Sequence, residues 1–258
     1  MKKIFYVLFA LSLFSCKSNE EDIVEETQIQ DLQPDKAYIH YVDRPTSNLN
    51  ADWYYRFNYE NGNLTKISGW LMGKTFSSDA HTDLTYQGNE AKISYSFDSD
   101  LTNVYTLQNN RPIKEVLYIQ DFIQGTKTYT YENDKIKIYL KPTNGLSDYF
   151  VTYYFNPVTK NLIKSEFLHK LQGADVELTT TIYSDFDNVQ NPFKKMGLVS
   201  DDLYEKSLSA NNFRKKVVTV EQFAHPANGN VAIPPSTTIK ELTYKYDSKG
   251  QVLLYYPL

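Results

Sequence analysis

One cysteine, three methionines and two tryptophans are all that 258 residues contain of those types. A single Cys excludes an internal disulfide, a thiolate zinc site and a Cys-pair redox centre. Net charge is small as well. The 27 Lys+Arg against 31 Asp+Glu leave −4, which gives no reason to expect nucleic acid as a partner. Glycine and proline number ten each, too few for a collagenous or low-complexity chain. Tyrosine (22) and phenylalanine (14) are abundant instead. Both favour pleated, half-buried strands, so the composition leans towards β structure.

The N-terminus reads as an address. Met1-Lys2-Lys3 precedes an apolar run from Ile4 to Phe14 broken only by Ser12. That run is too short to span a bilayer at about 20 residues per crossing and has the length of a signal-peptide h-region. It ends in Leu13-Phe14-Ser15-Cys16, which resembles the lipobox of bacterial lipoproteins. The resemblance implies removal of residues 1–15 and acylation of Cys16, which gives the lone thiol a fate. Residues 17–36 carry seven acids against Lys17 and Lys36, so residues 16–36 read as a lipidated Cys with an acidic, disordered tether. Lys17-Ser18-Asn19-Glu20-Glu21-Asp22 resembles the acidic export signal that sends Bacteroidetes-type lipoproteins to the outer face of the outer membrane. The periplasmic face is the alternative.

Residues 37–258 read as a single β domain with 24 acids against 23 bases. The dominant periodicity is two. In Asp175–Tyr183, Val176, Leu178 and Ile182 share a face, and Lys135–Leu140 alternates charged with apolar residues. Helical signals converge only near 200–208, where Ser200 suits an N-cap and Asp201 and Asp202 suit the first turn. The expected fold is all-β. It is a large antiparallel meander of about 12–15 strands, strongly curved or rolled into a barrel-like sheet, with at most one short helix near 200–208. A membrane-spanning barrel is disfavoured, because Lys, Glu and Asp recur in the strands and mean hydropathy is −0.50.

A loose repeat runs through this domain. Phe57-Asn58-Tyr59, Leu84-Thr85-Tyr86, Tyr129-Thr130-Tyr131, Tyr153-Tyr154-Phe155 and Tyr244-Lys245-Tyr246 each lead into an Asn/Gly/Asp turn and then aliphatic residues beside a Lys or Gln. Such units are β-hairpins. They resemble the tyrosine–aspartate hairpins of Rhs-type repeat proteins, most clearly over Tyr244–Val252. With the lipobox, Asn191-Pro192-Phe193 and Leu208-Ser209-Ala210-Asn211-Asn212, most of residues 50–258 is similar to a Bacteroidetes lipoprotein family of unknown function. The resemblance implies a porin-like β fold and no chemistry.

Catalytic and metal motifs are weak. Gly69-Trp70-Leu71-Met72-Gly73-Lys74-Thr75 has three residues between its glycines where a phosphate loop needs four. His40, His81, His169 and His225 lack metal-ligand spacing. Asp185, Asp187 and Asn191 offer a weak Ca²⁺ set, although Asx turns before Pro192 explain the cluster equally well. No G-x-S-x-G elbow or H-E-x-x-H occurs. The sequence leans away from an enzyme and implies no cofactor. It reads as an outer-membrane-anchored, non-catalytic binding or scaffold module. Its membrane contact is the lipid anchor, and its further partner is a glycan or an outer-membrane protein met through an aromatic-rich sheet. Trp53, Tyr55, Trp70, Tyr154 and Tyr256 are the contact candidates. A structural lipoprotein carrying an apolar ligand, or a hydrolase of an extracellular polymer, are the alternatives.

Overall fold

The computed structural model describes residues 32–42, 50–72, 75–224 and 231–257, all within the compact unit Asp31–Leu258. The leader, Cys16 and the tether as far as residue 31 lie outside the described residues, as do Gly73, Lys74 and His225.

β1 (Lys36–Tyr38) leads into a single helical turn, α1 (Ile39–Val42). There follow β2 (Tyr54–Glu60), β3 (Asn63–Met72), β4 (Thr75–Gln87), β5 (Glu90–Tyr95), β6 (Asp98–Gln108) and β7 (Arg111–Ile119). Next come β8 (Phe122–Tyr131), β9 (Lys135–Pro142), β10 (Ser147–Phe155), β11 (Leu162–Leu171) and β12 (Ala174–Phe186). A 3-10 turn (Lys194–Met196) and α2 (Asp201–Leu208) separate β12 from β13 (Phe213–Gln222). The described chain closes with β14 (Ile233–Glu241) and a small hairpin, β15 (Lys245–Tyr246) and β16 (Val252–Leu253).

Strands β1 to β14 form one sheet in sequence order, every neighbour antiparallel, as the period-two pattern predicts. The helix expected near 200–208 is α2, with Ser200 Oγ accepting from Leu203 N at 3.3 Å. α1 and the 3-10 turn fall outside that expectation. Ile39-His40-Tyr41-Val42 has poor intrinsic helix propensity, and its last carbonyls are held from outside the turn by Lys206.

All five predicted hairpins are present. Their turns use positive φ where the ribbon reverses, as at Asn61 (49°) and Gly62 (80°), the backbone of a tight two-residue turn. Because the meander is strictly sequential, successive turns alternate between two ends. The turns at 61–62, 88–89, 109–110, 132–134 and 156–161 and the α2 insertion lie at one end, the helix end. The turns at 96–97, 120–121, 143–146 and 172–173 lie at the far end.

One sheet face is packed mainly towards the helix end. The first core joins Ile67, Leu84, Ile93 and Tyr105 to Met196, Leu203, Leu254 and Tyr256. The second joins Tyr129, Ile136, Ile138, Tyr153 and Tyr183 to Tyr204. α2 therefore gives Leu203 to one core and Tyr204 to the other.

The sheet edges are managed differently. β14 is exposed throughout and contains Pro234 and Pro235, residues that sheets tolerate at an edge. β1 is covered by the C-terminal segment: Tyr38 N donates to Leu254 O at 2.9 Å and Tyr38 Oη donates to Tyr256 O at 2.5 Å. Among the described residues no helix is long and apolar enough to cross a membrane.

Candidate functional site

The repeated aromatic pairs face the cores. Phe57, Tyr129 and Tyr153 are buried, and Tyr59, Tyr131 and Phe155 pack beside them. Three tyrosine hydroxyls find partners inside: Tyr129 Oη donates to Glu115 at 3.0 Å, Tyr131 Oη to Pro112 O at 2.8 Å, and Tyr86 Oη to Leu64 O at 3.0 Å, whereas the buried Tyr59 Oη has none. In β2, β8 and β10 the aromatic–x–aromatic unit before the turn places two rings on the packed face at the helix end. The repeat thus builds the core rather than a contact platform.

The five contact candidates do not converge. Tyr55 and Tyr256 are core rings at 5% and 8% exposure. Trp53 stacks on Phe76 at 6.3 Å, and Tyr55 meets the same ring edge-on at 5.8 Å. Trp70 lies parallel to Phe97 at 4.1 Å. Tyr154 stands on the sheet face opposite the cores. Lys135 and Lys164 lie 5.4 and 5.3 Å from its ring centre, and its hydroxyl donates to Glu166 at 2.5 Å.

The oxygen cluster before Pro192 has separate duties. Asp185 pairs with Arg214 at 2.6 Å, while Asp187 accepts from Asn212 N at 3.0 Å and from Tyr246 Oη at 3.2 Å. Asn191 is buried. Its Oδ1 accepts from Phe193 N at 2.9 Å, and its Nδ2 donates to Lys206 O and Ser209 O at 2.7 and 2.8 Å. It thereby satisfies carbonyls at the C-terminal end of α2 that the helix cannot pair itself. The Asx-turn explanation fits these bonds. Among the described residues no three metal-ligating side chains gather. A cleft of about 360 Å³ between β13, β14 and the C-terminal segment is lined by Asp185, Arg214, Glu241 and Tyr244, with Arg214 already paired.

A buried charge cluster sits where α2 meets the sheet. Glu115 (2% exposed) accepts from Asn103 Nδ2 at 2.5 Å and from Tyr129 Oη, and lies 3.1 Å from Lys127 Nζ. Lys127 also reaches Asp201, the first residue of α2, at 2.6 Å. Burial pushes the Lys127 ammonium down, but the Asp201 and Glu115 carboxylates outweigh that and hold it above its usual value. Burial, followed by the Glu115 charge, drives the Tyr129 hydroxyl far up. On the other side of α2, Glu205 pairs with Lys216 of β13. These acids are each held by a lysine and serve to fix the helix.

Beyond this cluster, towards the far end, the same face changes character. Cross-strand register puts Leu117 opposite Gly125, Leu140 opposite both Lys127 and Tyr149, and Val151 opposite Phe167. Leu101 opposes Ile119, which opposes Phe122. Leu101, Leu117, Leu140, Tyr149 and Phe167 are only half-buried and belong to neither core. Tyr149 stacks between Phe167 (5.8 Å) and His169 (4.5 Å). At the rim Phe122 is 72% exposed, Ile119 43% and Leu146 51%. The sequence reading missed this strip, because its members are spread over strands β6 to β11 and only the register aligns them. The one available signal was the pair of apolar residues flanking a far-end turn in Ile119-Gln120-Asp121-Phe122.

No family model and no curated protein matches the chain. Among solved structures it is similar to a porin-like protein from Bacteroides vulgatus at 12% identity and TM-score 0.52, over 80% of this chain and 85% of that one. It is also similar to a porin-like protein from Bacteroides uniformis at 14% identity and TM-score 0.45, over 77% and 80%. The first likeness establishes a shared fold, a porin-like antiparallel β architecture, consistent with the one the resemblance implied.

Proposed function

We propose that the protein is a lipid-anchored, non-catalytic binding module of the outer membrane that receives its ligand on the apolar strip between α2 and the far end. In this reading Cys16 carries the anchor, the acidic tether spaces the domain from the bilayer, and the sheet is rolled with α2 inside. Rolling is supported by two adjacent residues of α2. Glu205 holds Lys216 of β13, and Lys206 holds the Tyr41 and Val42 carbonyls just after β1. On a flat sheet β1 and β13 would stand about 58 Å apart at ~4.8 Å per strand, far beyond the reach of those side chains.

The convex face supports anchoring over spanning. Lys135, Lys137, Lys164 and Glu166 project from it, and Lys137 pairs with Glu132 while Lys164 pairs with Glu166. Such a band has no place in hydrocarbon. The observation that carries the reading is the half-buried strip itself. α2 and the C-terminal segment cover the helix end of the concave face, whereas Leu117, Leu140, Tyr149 and Phe167 remain accessible. Apolar side chains left open on a concave face, with few polar groups nearby, are the usual lining of a ligand site.

Intact and native mass spectrometry of the protein taken from its own membranes, held in a fluorinated surfactant, tests the reading. The expected result is an acyl mass on Cys16 and a second, non-covalent mass that Leu140→Asp removes. An unmodified Cys16, or a native form without bound mass, contradicts it.

A further inference from the structure

The open strip also specifies the kind of ligand, an inference that rests on the binding reading above. We propose that the strip takes the alkyl chain of a single amphiphile whose head group is neutral or zwitterionic. Its floor is the Lys127 row. There one ammonium is shared by the Glu115 and Asp201 carboxylates, at 3.1 and 2.6 Å, so the floor offers an anion no free cation.

From that row to the rim, the concave positions on β7, β8 and β9 are Leu117, Ile119, Phe122, Gly125 and Leu140, without a charge among them. On β7 the partners of Lys127 and Phe122, Glu115 and Ile119, lie four residues apart, or about 13 Å at ~3.3 Å per residue, a length suited to an extended alkyl chain and too short for a bilayer leaflet pair. Gly125 removes one side chain from the middle of the strip, and Leu140 Cδ1 lies 3.4 Å from where its Cβ would be. The strand register shifts beside Gly125, and a glycine inside a strand often marks such a bulge.

The rim sets the head group. Asp98, Asp100 and Asp121 are exposed at the far ends of β6 to β8, with Lys141 as the neighbouring base on β9. A carboxylate or phosphate monoester head would meet like charge there, while a phosphocholine or sugar head would not. Phe122 and Ile119 lie beside these acids with much of their surface in water, and a chain emerging from the strip would cover them.

Titration of the full chain, held in a fluorinated surfactant that does not mix with hydrocarbon, tests this directly. The probes are octyl-, decyl- and dodecylphosphocholine, each below its critical micelle concentration, followed by calorimetry. Affinity should rise about fourfold per methylene, since each buried methylene contributes that factor. Leu140→Asp should weaken dodecylphosphocholine binding at least tenfold, and Lys137→Asp, on the opposite face of the same strand, should leave it unchanged. Dodecanoate should bind at least fivefold more weakly than dodecylphosphocholine. Binding that ignores chain length, responds equally to both variants, favours dodecanoate, or starts only with micelles overturns the proposal. If Leu140→Asp fails to fold, photo-crosslinking of a diazirine-tagged dodecylphosphocholine decides instead. Adducts at 117–125 and 140 support the strip, and adducts confined to Tyr139, Phe150 or Tyr154 refute it. A native bound mass lost in Leu140→Asp without phosphocholine binding removes the alkyl class and leaves the binding reading standing. Absence of both removes both.

Discussion

Lys206 Nζ lies 2.7 Å from the Tyr41 carbonyl oxygen, 165 positions away in the chain. The same ammonium bonds the Val42 carbonyl at 2.7 Å and passes 5.6 Å from the Phe193 ring. A cation at the C-terminal turn of α2 thus closes the C-terminal end of α1, and it is part of what draws the start of the sheet to the helix. Lys206→Met keeps most of the stem and removes both bonds. It should lower stability by about 2 kcal/mol, given about 1.5–3 kcal/mol for hydrogen bonds from a charged group. Denaturant unfolding, with an unchanged slope and a lower midpoint, is the check.

The Glu115–Lys127 pair makes a sharper prediction. Glu115→Ala leaves Lys127 with Asp201 alone and strips Tyr129 and Asn103 of their acceptor. Breaking one side of a buried pair costs about 3–5 kcal/mol. Glu115→Ala combined with Lys127→Met should be less damaged than Glu115→Ala alone, because the stranded cation is gone. A double mutant that unfolds as readily as the sum of its singles would show that the two groups do not act as a unit.

Gly69 and Gly88 separate two roles of glycine. Gly69 sits at a bulge in β3 with φ at 115°, and a Cβ there would lie 2.8 Å from Phe76 Cζ and 3.1 Å from Tyr55 Cδ1. Gly88 has φ at 59° in a turn with nothing within 4 Å. Gly69→Ala should cost about 3 kcal/mol and disturb the Trp53–Phe76–Tyr55 contacts, whereas Gly88→Ala should cost about 1 kcal/mol. Thermal melts of both variants, with the aromatic circular dichroism of the first, report the difference.

Tyrosine burial makes the fold sensitive to alkali. Burial pushes Tyr86 and Tyr95 up to about 12 from 10.0, and the Tyr154 hydroxyl rises to about 12 chiefly through its bond to Glu166. The folded state therefore favours the neutral phenols. Their stabilisation is complete below pH 10, where the unfolded chain is also protonated, and is lost as pH climbs from 10 towards 12. The tyrosinate absorbance of these rings should rise above pH 10, together with the loss of β circular dichroism. A single transition centred at pH 10 with the fold intact would contradict the burial of these rings.

The architecture was legible in the sequence because its signals are local. Tyr129-Thr130-Tyr131 before Glu132-Asn133-Asp134 specifies a hairpin whatever surrounds it, and Ser200 with Asp201 and Asp202 specifies a helix start. The fate of the rings was less legible. Tyr153 and Tyr154 are neighbours of one type, yet one is buried against Tyr204 and the other lies between Lys135 and Lys164 on the opposite face. Period two says that they part. Which side is packed depends on α2, a partner 50 residues later. The open strip was invisible for the same reason, since Leu117, Leu140 and Phe167 become neighbours only through pairing across β7 to β11.

The rolled sheet around α2 is the claim on which the site depends. Nitroxide labels at Arg56→Cys on β2 and Thr237→Cys on β14, both exposed positions, measure it by pulsed electron resonance. With the C-terminal segment lying between β14 and β1, a rolled sheet places the labels about 15–25 Å apart, a few strand spacings of ~4.8 Å. A distance above about 50 Å, approaching the ~58 Å of twelve such spacings laid flat, would contradict the account.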